Sequence, residues 1–300
     1  MSYHQPVMLQ ESIDALALDP GGVYVDATFG GGGHSSLILG HLTTGHLYGF
    51  DQDRDAEQES KKLAGKNFTF VRSNFRFLKK FLRFYGLKAV DGILADLGVS
   101  SHQFNTAERG FSTRFNGPLD MRMDPDAPKT AREVVNTYPE EALHKIFGLY
   151  GEVKNARTLA SVVVAQRAGR EITSLGEFKE AIHSCVPRGK ENKYLAQVFQ
   201  ALRIEVNDEL KALEEMLGQA AEVLKPGGRL VVLSYHSLED RLVKNFMNKG
   251  KFYGEVEKDL YGNELKPLEA VTRKALTPSD DELTQNNRAR SAKLRIAQKL

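Results

Sequence analysis

Four consecutive glycines, Gly30 to Gly33, constrain this 300-residue chain more than any other feature. They stand between an apolar run that ends in an acid, Val23-Tyr24-Val25-Asp26, and a segment from Gly33 to His41 suited to a helix. Glycine lets the backbone turn sharply and approach a ligand, and the helix that follows opens with amides that have no partner inside it. Strand, glycine turn and helix in that order form the nucleoside-binding corner of an open parallel sheet. The plainer alternative is a tight turn with no ligand. The spacing Gly30-x-Gly32-x-x-Ser35 lacks the third glycine of the dinucleotide fingerprint, which turns the reading from NAD toward another adenosine-type cofactor.

The next residues repeat the alternation of strand and helix. Strands are expected at Gly45–Asp51, Phe68–Val71 and Val90–Asp96, with helices at Asp53–Leu63 and Phe75–Tyr85. A loop, Leu97-Gly98-Val99-Ser100-Ser101, follows the fourth strand. Residues 105–128, rich in Gly, Pro, Arg and Met, read as a long ordered loop, and Thr130 to about Glu205 as helical throughout. Within that stretch Ser174 and Glu177 have the spacing of a capping box. A helix from Asn207 to Leu224 and an apolar strand from Arg229 to Ser234 resume the alternation. Further extended segments are expected near Phe252–Val256 and Ala292–Ile296. The chain is thus expected to be an α/β protein, its Rossmann-like sheet built from residues 1–104 and 206–300, interrupted by an inserted loop and all-helical domain over 105–205.

Ligands of open α/β sheets bind beyond the carboxyl ends of the strands, and Asp26, Asp51 and Asp96 each end one. Asp51, 21 residues after Gly30, is placed to accept from both ribose hydroxyls of an adenosine. Asp53 reads as a helix cap. The segment Asp96 to Gln103 would line the floor of the crevice. Phe75 either shelves an adenine or belongs to an apolar helix face with Leu78, Phe81 and Leu82. Residues 66–88 hold seven basic side chains and no acid, a phosphate strip or a solvated face. In Ser234-Tyr235-His236-Ser237-Leu238-Glu239-Asp240-Arg241, His236 or Ser234 is the candidate for the far wall of the crevice, with no nucleophile–base pair for acyl transfer.

Charge sharpens the choice of partner. Residues 241–300 carry thirteen Lys and Arg against eight Asp and Glu, whereas the preceding 240 residues carry 28 against 31. A basic C-terminal part, including Arg288, Arg290, Lys293 and Arg295, suits a polyanion such as RNA, although a solvated surface has the same look. The single Cys185 precludes an intrachain disulfide, so a reducing, cytoplasmic setting is expected. No Cys/His cluster has zinc spacing, and no metal is expected. No segment has the apolar length of a membrane span or of a secretory leader.

The chain resembles the RsmH, or MraW, family of ribosomal RNA small-subunit methyltransferases. The matching motifs run nearly end to end: His4-Gln5-Pro6-Val7-Met8-Leu9, Asp26-Ala27-Thr28-Phe29 with Gly30 through Ser35, Asp91 through Ser101, Glu108-Arg109-Gly110-Phe111-Ser112, Pro118 through Asp124, Phe199 through Ile204, and Ser234 through Arg241. The resemblance implies a Rossmann-like methyltransferase sheet, S-adenosylmethionine as cofactor, and 16S rRNA within the small ribosomal subunit as partner. The implied reaction is N4-methylation of one cytidine in the decoding region. It further implies that Gly32, Gly33, His34, Asp51, Phe75, Asp96 and Gln103 contact the cofactor, and that the helical insertion recognises substrate. Two departures stand out. Where relatives carry His-Pro-Ala-Thr-Arg, this chain has Lys193-Tyr194-Leu195-Ala196-Gln197, without the arginine, and Asn105 replaces a common Asp.

The exocyclic amine of cytosine is a weak nucleophile because its lone pair is delocalised into the ring. Acceptors on its N–H groups localise that pair, so Asp96 is expected at the reaction centre, with carbonyls of Leu97 to Ser101 as further acceptors. The chain lacks the Asp/Asn-Pro-Pro-aromatic motif of many amino-methyltransferases; Phe111 or Phe115 would supply the missing stacking surface. On the residues alone, an amino-methyltransferase of DNA or protein, an inactive RNA-binding relative and, further off, an NAD-dependent oxidoreductase remain open.

Overall fold

Four largely apolar runs of four to seven residues, each closed by a charged residue, become the first four strands of a seven-stranded sheet. The computed structural model describes residues 6–63, 65 and 67–300; His4, Gln5 and Lys66 of the motifs above lie outside them. The strands are β1 (Val23–Asp26), β2 (His46–Asp51), β3 (Phe68–Arg72), β4 (Val90–Asp96), β5 (Leu224–Ser234), β6 (Leu268–Ala270) and β7 (Lys293–Lys299). Their order is β3-β2-β1-β4-β5-β7-β6. The first five run parallel, while β7 is antiparallel to β5, and β6 to β7. The strand order reverses between β1 and β4, the position at which doubly wound sheets open a crevice beyond their strand ends.

The helices are α1 (Leu9–Leu16), α2 (Gly33–His41), α3 (Arg54–Ser60), α4 (Leu78–Phe84), α5 (Ser101–Asn105), α6 (Ala131–Thr137), α7 (Glu140–Leu149), α8 (Ala156–Gly169), α9 (Leu175–Ala181), α10 (Glu191–Asn207), α11 (Glu209–Val223), α12 (Ser237–Lys249) and α13 (Asp280–Gln285). The chain divides into two units, Met1–Gly98 with Leu210–Leu300, and Val99–Glu209. These limits differ by a few residues from the 105 and 205 expected, because Val99 and Phe104 pack into the helical core.

The sheet unit is covered on both faces, which explains why β4 reads as a nearly unbroken apolar run. Alternate side chains take opposite faces. Ile93 and Ala95 join Leu78 and Leu82 of α4, Met216 and Leu217 of α11, and Val243 and Phe246 of α12. Leu94 joins Ile13 and Leu16 of α1 and Ile38 of α2. The extended segment expected near Phe252–Val256 is not a strand. The Phe252 ring stacks on Phe246 at 4.9 Å, and its carbonyl accepts from Asn245 Nδ2, so the chain bends onto α12 instead of joining the ladder. The short β6 had no counterpart in the sequence reading.

The second unit holds α5 to α10 around Phe147, Leu159, Phe178, Val198 and Leu202. Ser174 and Glu177 form the capping box of α9. Arginines order the long loop before α6. Arg109 donates to the carbonyls of Arg122 and Met123, and Arg122 grips Asp120 through two nitrogens and donates to the Ala127 carbonyl. Such charge-assisted bonds satisfy the main chain where no regular structure does. Tyr194, within the divergent stretch, is a core residue whose hydroxyl donates to Asn155 Oδ1 at 3.0 Å. Among the described residues, no helix is long and apolar enough to cross a membrane.

Candidate cofactor and methyl-transfer site

Three adjacent strands, β2, β1 and β4, end in Asp51, Asp26 and Asp96 on one edge of the sheet. The carboxylates differ in what they hold. Asp26 is buried, its Oδ2 accepting from Ser35 Oγ at 2.7 Å and its Oδ1 from the Thr28 amide at 3.1 Å. Burial raises its pKa, while the nearby His34 imidazole and the Ser35 and Thr28 bonds oppose the rise. Asp26 therefore staples the glycine loop to the start of α2 and has no open side toward a ligand. This departs from the expectation that all three acids face the crevice.

Asp51 accepts from the Gly30 amide through Oδ2 at 2.8 Å and from the Asp53 amide through Oδ1 at 2.9 Å. Burial pushes its pKa up to about 6 against the pull of these two amides. Each oxygen retains a second lone pair, so two ribose hydroxyls remain acceptable partners. Asp53 caps α3 by accepting from the Asp55 amide.

The glycine loop needs its glycines for space as well as conformation. Gly32 is the left-handed cap of α2 at φ +76°, and a Cβ there would meet the Phe29 ring at 2.8 Å. A Cβ on Gly33 would strike Pro6 at 2.2 Å. A side chain on Gly31 would meet nothing within 4 Å, so the loop is open on that side. The first-turn amides of α2 lack intrahelical partners and offer donors at this opening.

Asp96 is held from two sides. Its amide donates to Thr28 Oγ1 at 2.6 Å, tying β4 to the loop after β1. Its carboxylate Oδ1 accepts from the Tyr235 hydroxyl at 2.6 Å, and its Oδ2 lies 3.9 Å from His34 Nδ1. Burial raises the Asp96 pKa, opposed by His34 and by the Tyr235 bond. Burial also raises the Tyr235 phenol well above its ordinary value, reinforced by the Asp96 charge, so the hydroxyl remains a donor. His34 is buried, and its Nε2 has no hydrogen-bond partner among the described residues. A buried ring nitrogen left without a partner is a condition that a bound ligand or an ordered water relieves.

The structure thus brings Gly32, Gly33, His34, Asp51 and Asp96 to one strand edge. Phe75, in the turn after β3, is partly buried against the core on one face of the sheet. Gln103 belongs to the second unit, where it is buried and forms the capping box of α5 with Ser100. The segment expected as crevice floor is therefore helical from Ser101. The signal was legible, since Ser100-x-x-Gln103 is a capping-box spacing. His236 caps α12, with Glu239 completing the box, and Ser234 is buried with its Oγ 3.5 Å from the Lys293 carbonyl. It is Tyr235, between them, that reaches Asp96. Phe111 is buried in the helical core and offers no open ring face, while Phe115 is partly exposed with the Arg114 guanidinium 5.8 Å from its centroid. In the basic segment 66–88, Arg76 pairs with Glu215 at 2.6 Å and Lys79 with Glu222, which removes two cations from any phosphate strip.

A family model described as the MraW methylase family matches residues 1–300. A protein from Cytophaga hutchinsonii named ribosomal RNA small subunit methyltransferase H is 58% identical over 297 residues, covering 99% of both chains. One of the same name from Phocaeicola vulgatus is 58% identical over 298 residues, covering 99% of this chain and 97% of the relative. Another from Amoebophilus asiaticus is 53% identical over 298 residues, covering 99% and 96%.

Proposed function

From the premise that the chain belongs to the MraW methylase family, we propose that it uses S-adenosylmethionine to methylate N4 of a cytidine in the 16S rRNA of the small ribosomal subunit. The observation that carries the reading is the Asp96 carboxylate, fixed at the end of β4 between the Tyr235 hydroxyl and His34, beside an open glycine loop.

Bound S-adenosylmethionine supplies a methyl group on a sulfonium, an electrophile for an amine held in line with it. The chain supplies the rest. Asp51 accepts from the ribose hydroxyls. Gly32, its own amide donating to the Phe29 carbonyl, lets the loop approach the cofactor. The amides of Gly33 and His34 line the loop side, and Phe75 provides an apolar surface for the adenine. Gln103, from the second unit, is assigned to the cofactor on the family resemblance. Asp96 accepts an N–H of the cytosine amine, which localises the nitrogen lone pair as the N–C bond forms. The Tyr235 bond fixes the carboxylate rotamer, so the acceptor needs no reorganisation during transfer. The nitrogen becomes strongly acidic once alkylated, and a carboxylate whose pKa is raised by burial is a competent acceptor for the proton it releases. The insertion, 105–205 in the sequence reading and Val99–Glu209 in the structure, is assigned to substrate recognition.

The test is Asp96→Ala in a labelled methyl-transfer assay on unmodified small subunits. Loss of one acceptor at the reacting centre predicts a fall in rate of about 100-fold or more. Near-normal turnover with intact folding contradicts the assignment.

A further inference from the structure

The methyl-transfer site leaves the basic C-terminal part of the chain without a role. The structure gathers it into a concavity of about 350 Å³ lined by Lys244, Arg273, Lys274, Ala275, Thr277, Lys293 and Arg295. These five cations come from three separate elements: α12, the segment after β6, and β7. No acid lines the hollow. Among the described residues, the one carboxylate that engages its cations is Asp240, which accepts from Lys293 Nζ at 3.0 Å and from Arg295 Nε at 2.7 Å. Asp240 thereby orients the two β7 cations that line the hollow but cannot neutralise five. Lys244, Arg273 and Lys274 are exposed and form no ion pair among the described residues.

The hollow is also preorganised. The main chains of Leu276 and Leu294 exchange two hydrogen bonds of 2.9 Å, and the Val271 amide donates to the Ile296 carbonyl at 2.9 Å. These bonds pin the segment carrying Arg273 and Lys274 along β7. Holding like charges together costs free energy, and a polyanion recovers it by neutralising them and releasing its own counterions. The position matters too. Asp96 registers with Leu233, and Ser234 with Lys293. Lys293 therefore stands two strand spacings, about 10 Å, from Asp96 at the same end of the sheet. Its side chain is turned with Arg295 to the α12 face, while Asp96 takes the parity of Leu94 on the α1 face.

We propose that Lys244, Arg273, Lys274, Lys293 and Arg295 form a binding site for the phosphodiester backbone of the RNA substrate, flanking the base presented at Asp96. The inference rests on the proposed RNA methyltransferase activity. Lys293 and Arg295 are held against Asp240, while Lys244, Arg273 and Lys274 are free to meet phosphates. These contacts position the strand without reading its sequence.

The test compares the full-length wild type with Lys244→Ala/Arg273→Ala/Lys274→Ala and with the charge-retaining Lys244→Arg/Arg273→Lys/Lys274→Arg. Binding of a labelled mixed-sequence single-stranded RNA 20-mer is measured from 50 to 200 mM salt. Methyl transfer to unmodified small subunits is measured alongside. The alanine variant should bind RNA at least about tenfold more weakly at 100 mM salt, and its log–log salt slope should fall in magnitude by about 2, at roughly 0.7 per phosphate contact. Its KM for subunits should rise while kcat at saturation and the unfolding midpoint stay near wild type, and the charge-retaining variant should behave as wild type. Unchanged RNA affinity and slope in the alanine variant, with an active wild type, overturn the inference alone. So does loss of binding to anionic phosphatidylglycerol vesicles with RNA binding intact. A wild type that transfers no methyl group to subunits overturns both this inference and the function it rests on.

Discussion

Replacing Tyr235 with Phe removes one hydroxyl and leaves the ring, so its consequence can be worked from a single bond. The hydroxyl donates to Asp96 Oδ1 at 2.6 Å, and a hydrogen bond to a charged group contributes about 1.5–3 kcal/mol. This bond favours the ionised carboxylate, and it opposes the burial that raises the Asp96 pKa. Deleting it removes the opposition, so the pKa must rise further. At about 1.4 kcal/mol per unit, the rise is about 1–2 units. If ionised Asp96 accepts from the substrate amine, activity is lost as pH falls through the Asp96 pKa, and Tyr235→Phe loses it at higher pH. Single-turnover methyl transfer across pH should show the acidic limb displaced upward by about 1–2 units, with the rate recovering on the alkaline side. A purely packing role for Tyr235 would lower the rate at every pH alike. An acidic limb that stays in place refutes the reasoning.

Two further outcomes follow from the other carboxylates. Ser35→Ala leaves one oxygen of buried Asp26 without its 2.7 Å donor and should cost about 1–3 kcal/mol in urea unfolding, with weaker cofactor binding; unchanged stability would show that Asp26 does not staple the loop. Asp51 keeps its proton to about pH 6 in the folded chain, whereas an unfolded Asp releases it near 3.9. Its contribution to apo-protein stability is thus fully present below about pH 4 and is lost as pH rises through about 6, by at most about 3 kcal/mol. Asp51→Asn should flatten that part of the stability–pH curve, and a wild-type curve already flat there would count against the burial argument.

Much of this architecture was written locally. A strand buried on both faces has to be apolar along its length, so β1, β2 and β4 were visible as runs closed by Asp26, Asp51 and Asp96. The sharp turn into α2 demanded glycine, as φ +76° at Gly32 and the Phe29 ring beneath it show. What depended on distant partners was not legible. Tyr235 and Asp96 are 139 residues apart, and nothing in either segment marks the pair. Asp26 looked like a ligand-facing acid because its neighbour Ser35 shows its role only once the loop folds back. Phe111 looked like a stacking surface, yet the helical unit buries it. The edge strand β6 is three residues long and carries no periodicity to read. The basic C-terminal residues were visible as charge, but their convergence around one hollow comes from the antiparallel return of β7 beside β5.

The central claim is that one cytidine amine of 16S rRNA receives a methyl group from S-adenosylmethionine on this chain. It is tested most directly by incubating the purified protein with small subunits from cells lacking the gene, then mapping the rRNA by nucleoside and fragment mass spectrometry. The account predicts one N4-methylcytidine at a single site, absent without S-adenosylmethionine and absent with Asp96→Ala. A methyl group on another base, on a ribosomal protein, or on no component of the subunit contradicts it.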